Sequence, residues 1–507
     1  MNDINKKKMY QVISLTLLFI MFLFMFWDSS KQSFWLDELD WTIYYLARSN
    51  ILEMIKLLLQ TGFNLPLYYI LMYPIYQIVP YGEQWLLLPN IIAILFGIMM
   101  MRKVGEKIGG EDVGFACLCM GVTSYILIDQ GAFELRPYAF LFCFSVWTLY
   151  RYLCRLENST KRNEILYTIS ILLLAYIHWF GCLIIAFYFL VDVYRWVKKK
   201  ISLSSFIPYV ILGILFLPWF VLMMMKHTSS FSEYWAEAPK LDSFFRTIKY
   251  LLSFQSVSIH LFLIGCISLL IYIIFKKKEK YQSYLLCLGS IFWVVGTIII
   301  YSKFINPEGS LFVNRYFIVV LPHVLIIEAL PLSELLNLKV TINNSPLIVN
   351  INGITINKSI SLVIVLSLIT IIGYQNYVKA HEENTIYYEP YREMSNVIAS
   401  NREAYEDDSA VITSRGYAYI TYYFEKRNRN LPTNVYEGHS DSTLGQIVSE
   451  GKWIKQRPIT KDDLLEYNTL FLFNGHTHFD NSLMDFVRKN YKLIKEYKDL
   501  GLYIYQK

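Results

Sequence analysis

The chain has 507 residues, 55% of them hydrophobic and 17% charged, with a mean hydropathy of +0.35. A soluble domain carries about 25% charged residues. Together with 40 Tyr, 33 Phe and 11 Trp, these values exclude disorder, a coiled coil and a small disulfide scaffold, and leave a polytopic α-helical membrane protein. The net charge of +6 is modest and falls in short blocks, which argues against nucleic acid as a partner.

Apolar runs long enough to cross a hydrocarbon core lie near 9–27, 85–102, 112–128, 137–154, 164–178, 179–197, 204–225, 257–275, 282–301, 315–333 and 359–377, about eleven transmembrane helices. The first follows Lys6, Lys7 and Lys8 and closes at Trp27 without a small-residue cleavage site, so it reads as a retained helix. The stretch 64–80 is short, carries Pro66, Pro74 and Pro80, and reads as an interfacial or re-entrant helix.

Basic clusters at 6–8, 102–107, 155–162, 195–200 and 276–280 set the orientation. If all are cytoplasmic, the N-terminus is inside, and 28–84, 129–136, 226–256, 302–314 and 378–507 share the outer face. The seven cysteines all fall in or beside apolar spans, so no disulfide framework is implied.

Charge density doubles beyond residue 377, where 36 of 130 residues are charged, marking 378–507 as a small extracytoplasmic α/β domain separate from a membrane module 1–377. Residues 408–414 and 468–475 read as buried strands, 482–497 as a helix and 501–507 as a closing strand.

The first outer segment places Asp37, Glu38 and Asp40 between Trp35 and Trp41, directly after a membrane exit. One reading of Asp37 is a helix N-cap; the other is a general base or metal ligand at the lipid–water boundary. Asp40 reads as part of a solvated helix face. In the second outer segment Glu134 and Arg136 precede Pro137 and Tyr138. They form either a local ion pair or a phosphate contact, since a guanidinium suits phosphate oxygens bidentately. His178 and Arg315 stand at outer helix ends, where a histidine can simply satisfy the helix end and an arginine can anchor the interface. His476-Thr477-His478 is a weak metal candidate, and the sequon at Asn158 falls on the cytoplasmic side of this topology.

In order along the chain, these motifs resemble the GT-C membrane glycosyltransferases. More narrowly, they resemble the family 39-like group of protein mannosyltransferases, aminoarabinose transferases and RgtA/B/C/D-like enzymes. The Asp37-Glu38 pair lies just beyond the first span. Asn64-Leu65-Pro66-Leu67-Tyr68-Tyr69 is similar to the family's His-Pro-Pro-Leu-Tyr-Tyr element, with its His and first Pro replaced. Glu134-Leu135-Arg136-Pro137-Tyr138-Ala139 resembles Glu-Ala-Arg-Pro-Tyr-Ala, and His178-Trp179-Phe180-Gly181 resembles His-Tyr-Phe-Gly. Arg315-Tyr316-Phe317 with Pro322 resembles the late Arg-Tyr-Leu…Pro segment.

The resemblance implies inverting transfer of a sugar from a polyprenyl-phosphate donor to a glycan, lipid or protein acceptor on the outer face of a plasma membrane, bacterial by the same resemblance. It implies Asp37 as general base, with Glu38 in support. It places Arg136, with Glu134, Tyr138, His178 and Arg315, in substrate binding. A divalent cation, Mg or Mn, at Asp37 and Glu38 is the one cofactor it allows. The competing class is a transporter or lipid-linked sugar flippase, for which buried acidic residues such as Glu328 would be the mark; a non-catalytic scaffold leaves the Asp37 and Arg136 motifs unexplained.

Overall fold

Each of the eleven apolar runs folds as a helix in the computed structural model. It describes residues 3–31, 33–61, 64–227, 236–240, 242–275, 278–337, 349–351, 354–356, 358–386, 391–402, 408–414, 422–423, 435–438, 444–450, 453–474 and 479–507. Among these, eight helices are long and apolar enough to cross a membrane. The other three runs form the helices Glu111–Thr123, Tyr138–Glu157 and Lys161–Ile177. The helix Pro66–Ile78 has 13 residues with Pro74 inside. At 1.5 Å per residue it rises about 20 Å, short of the roughly 30 Å hydrocarbon core.

The chain divides into two compact units. The first comprises Met1–Ser29, Ile55–Leu71 and Leu87–Glu382 and holds the long apolar helices. Ion pairs join four of its basic clusters. Lys6 meets Asp112 at 2.5 Å and Lys7 meets Glu111 at 3.0 Å, while Arg102 reaches both Glu106 and Glu111. Lys107 pairs with Glu157 at 2.6 Å. Arg155 pairs with Glu164 and with the fully buried Asp192, which also meets Arg195 at 3.4 Å. Cations that the topology assigns to one face thus gather with their carboxylates at one end of the helices.

The second unit comprises Ser30–Met54, Met72–Leu86 and Glu383–Lys507. Its sheet runs, in spatial order, Trp453–Ile459, Leu444–Glu450, Val435–Gly438, Ser409–Thr413, Thr469–Phe473, Leu502–Gln506 and Lys492–Tyr497. Ser409–Thr413 pairs in parallel with both neighbours, and every other pairing is antiparallel. The two central strands, SAVIT and TLFLF, are buried throughout, as their unbroken apolar runs require. Leu483 and Val487 of the helix Asn481–Asn490 pack on Ile412, Leu470 and Leu472.

That helix is shorter than the sequence suggests. Its apolar period stops at Val487, and Lys492–Tyr497 is an exposed edge strand paired with Leu502–Gln506. Pairing along the ladder overrides the helix preference of its Lys and Glu residues.

Candidate active site

Asp37 sits in the second unit, in the first turn of a helical segment running from Leu36 to Leu46. The capping role at this N-terminus belongs to its neighbour. Glu38, at the third helical position, is fully buried and its Oε2 accepts from the backbone N–H of Trp35 at 2.9 Å. Asp37 is half-buried. The pair therefore divides, with Glu38 holding the turn and Asp37 carried on it.

A polar network fastens this segment at its start. The Tyr423 hydroxyl accepts from Phe34 N at 2.7 Å and from Ser33 Oγ at 3.1 Å, and donates to Glu83. One donor and two acceptor lone pairs are all that a phenol offers, so the hydroxyl is saturated. Arg392 closes the network, pairing with Glu83 at 2.8 Å and donating to Ser30 O at 3.0 Å. Burial, and then the Glu83 carboxylate, push the Tyr423 pKa well above the ordinary phenol value, so the donor stays protonated.

At the far end, Tyr73 donates to Arg48 O at 3.1 Å and Gln77 to Leu46 O at 3.2 Å. These carbonyls, at or just beyond the helix end, are acceptors no helical N–H can reach. The proline- and tyrosine-rich stretch thereby serves the acidic segment.

The remaining candidates lie in the first unit, and four of them converge. Pro137 starts the helix Tyr138–Glu157, leaving Glu134 and Arg136 in the turn before it. Asn90, fully buried, donates to Glu134 O at 2.6 Å and to Arg136 O at 3.3 Å, and accepts from the Tyr68 hydroxyl at 3.4 Å. Tyr68, from the Asn64–Tyr69 motif, thus supports the turn that presents Arg136.

His178 occupies an extended residue between the helices Lys161–Ile177 and Trp179–Val197, where its Nδ1 accepts from Phe180 N at 3.2 Å. The join is tight: a Cβ on Gly181 would lie 2.3 Å from the Leu174 carbonyl oxygen, so this position demands glycine. The helix-end reading of His178 is thereby met at Nδ1, and the ring still faces the cluster. It lies 5.9 Å from Tyr138 and 5.0 Å from Tyr316, in the field of both Arg136 and Arg315. The Arg315 guanidinium stands 6.0 Å from the Tyr138 ring, and the buried Tyr138 hydroxyl makes no hydrogen bond among the described residues.

Arg315 also lines a cavity of about 420 Å³, with Lys240, Arg246, Tyr250, Gln130 and Asn314 among its walls. Tyr250 sits in the combined field of Asp129, Glu134, Arg315 and Tyr138. Two arginines, a lysine and a phenol in the wall of a cavity suit a phosphate with an attached sugar. Asn90, Tyr250, Tyr316, Glu83, Arg392 and Tyr423 are the contributors that motif reading missed. Tyr316 alone carried a signal, as the middle residue of Arg315-Tyr316-Phe317.

No group of three or more His, Cys, Asp or Glu side chains that could hold a metal occurs among the described residues. Of the two carboxylates suggested for a cation, Asp37 is half-buried, while Glu38 is fully buried with Oε2 engaged by Trp35 N. His476, Thr477 and His478 lie outside the described residues.

No family model matches the sequence, and no curated protein does. Solved structures do. ArnT from Cupriavidus metallidurans in the apo state aligns with a TM-score of 0.58 at 9% identity, covering 100% of this chain and 98% of that one. The same protein bound to undecaprenyl phosphate gives 0.57 at 9% identity over 98% and 97%. An Archaeoglobus fulgidus oligosaccharyltransferase in the apo form gives 0.49 at 11% identity over 83% and 64%, too distant to carry weight. An alignment spanning both chains almost end to end at such low identity speaks for architecture: this polytopic membrane protein has the GT-C glycosyltransferase fold.

Proposed function

We propose that the chain transfers a sugar from a polyprenyl-phosphate donor to an acceptor hydroxyl on the outer face of a bacterial plasma membrane, with inversion. The observation that carries this reading is the convergence of Arg136, Tyr138 and His178 on Arg315, which lines a cavity. Its background is the fold of ArnT, one structure of which holds undecaprenyl phosphate.

In a single displacement the acceptor oxygen attacks the anomeric carbon while the bond from that carbon to the phosphate oxygen breaks. The electron pair leaves on the phosphate, and the sugar centre inverts. Asp37 takes the hydroxyl proton, raising the nucleophilicity of a group that is weak at neutral pH. Arg136 and Arg315 stabilise the charge developing on the departing lipid phosphate, with Tyr138 donating to it and His178 binding sugar or phosphate. Glu134 shapes the turn that carries Arg136. Glu38 fixes the Asp37 turn. A divalent cation at Asp37 and Glu38 would add positive charge for the leaving phosphate. In this topology 378–507 is extracytoplasmic and meets the acceptor.

The competing reading, a transporter or flippase, has the buried Glu328 on its side. The two separate in one experiment. Purified protein is given radiolabelled lipid-linked sugar and a cell-envelope extract. Release of free polyprenyl phosphate supports transfer; movement of intact lipid-linked sugar across the bilayer without release overturns it.

A further inference from the structure

A second cavity, of about 940 Å³, lies within the C-terminal domain and plays no part in the chemistry above. It opens between the end of the helix Asn481–Asn490 and the two strands at that edge of the sheet. Its walls carry Arg488, Lys489, Lys492 and Lys507 against one carboxylate, Glu496. Arg488, Lys489 and Lys492 are exposed and make no ion pair or side-chain hydrogen bond among the described residues.

Attraction to the helix C-terminus accounts for Arg488 and Lys489 in the last turn. It does not account for Lys492, which lies beyond the helix, or for the shortage of carboxylates in the wall.

The floor is aromatic. Tyr503 and Tyr505 alternate along one strand with Lys507, so all three share a face. The Tyr491 hydroxyl shares its one proton between Leu464 O at 2.5 Å and Tyr467 O at 2.9 Å, which fixes its buried ring behind the wall. Lys507 Nζ lies 5.9 Å from that ring. Asn474 and Asn490 add amides to the wall. Tyr491 and Tyr505 are buried in the sheet's core and back the wall, which leaves the half-buried Tyr503 ring to meet a sugar face. A ring for a sugar face, amides for hydroxyls and uncompensated cations for negative groups are the needs of one ligand class.

We propose that this cavity binds an anionic saccharide, carrying carboxylate or phosphate groups, and that it docks the acceptor glycan. Only the word acceptor rests on the glycosyl-transfer reading; the binding itself does not. The concave, tyrosine-floored shape favours a glycan chain over the flat surface of a bilayer.

The test uses the full chain in phosphatidylcholine nanodiscs, without donor. Binding is measured for tetragalacturonate, maltotetraose 6-phosphate and neutral maltotetraose, and separately for vesicles containing phosphatidylglycerol. At least one charged tetramer should bind about tenfold more tightly than the neutral one, and R488A/K489A/K492A should remove that advantage, each exposed charge contact being worth a factor of about two. Which charged tetramer binds identifies the anionic group. K498A, outside the cavity wall, should bind as the wild type does. Equal binding of neutral maltotetraose, unchanged affinity in the triple variant, or capture by the vesicles alone overturns the proposal. If the charged tetramer binds while polyprenyl phosphate is not released, the transfer reading fails and the site stands. If release proceeds and no charged tetramer binds, the site fails alone.

Discussion

Replacing Tyr423 with Phe removes one oxygen and keeps a fully buried ring, so its effect isolates the network at the start of the Asp37 segment. The lost hydroxyl had served Phe34 N, Ser33 Oγ and Glu83. A hydrogen bond to a charged group contributes about 1.5–3 kcal/mol, and a buried N–H left without an acceptor costs about 1–3 kcal/mol. Arg392 stays on Glu83, so that carboxylate is not left bare and the low ends apply. The sum is about 3 kcal/mol of local docking energy, roughly a hundredfold rise in the undocked population of the segment. Hydrogen exchange read by mass spectrometry should show the amides of residues 34–39 exchanging about a hundredfold faster in Tyr423→Phe. Those of the central strand Thr469–Phe473 should not change. Unchanged exchange at 34–39 refutes the assignment of Tyr423 as the fastener.

Three further variants probe the separate parts. Arg136→Ala should lower transfer by about a hundredfold or more, with Arg136→Lys recovering part of it, because charge remains while bidentate geometry is lost; initial rates of transfer check this. Asn90→Ala strips the donor from two carbonyls of the Arg136 turn, and should weaken donor binding by about 2 kcal/mol, roughly thirtyfold, in a titration with polyprenyl phosphate. Glu38→Gln should keep transfer within about fivefold, since a Gln carbonyl accepts from Trp35 N as the carboxylate does, while Glu38→Ala should lose more.

The helices and the central strands were legible because they depend on local pattern: apolar runs for the spans, and SAVIT and TLFLF for two buried strands, though not for their parallel pairing. Tyr138, His178 and Arg315 were legible as short motifs, although their convergence was not, since it joins residues 40 and 177 positions apart. Asn90 was hidden as a lone polar residue in the apolar stretch between Gln84 and Arg102 of its helix. Its role depends on carbonyls 44 and 46 positions away. Glu83, Arg392 and Tyr423 are individually ordinary surface types, and only a fold that brings 83 beside 392 and 423 buries them together. The 40 tyrosines carry the same lesson. Tyr73 and Tyr423 bind backbone and carboxylate within the protein, where composition alone suggests rings waiting for sugars.

The most direct test of the account is Asp37→Asn, assayed with radiolabelled lipid-linked sugar and envelope extract beside the wild type. The change keeps size and the helical segment but removes the proton acceptor. The account predicts that the variant folds, binds the donor as the wild type does, and releases no polyprenyl phosphate above background. Release at the wild-type rate would contradict Asp37 as the base and, with it, the mechanism proposed for this chain.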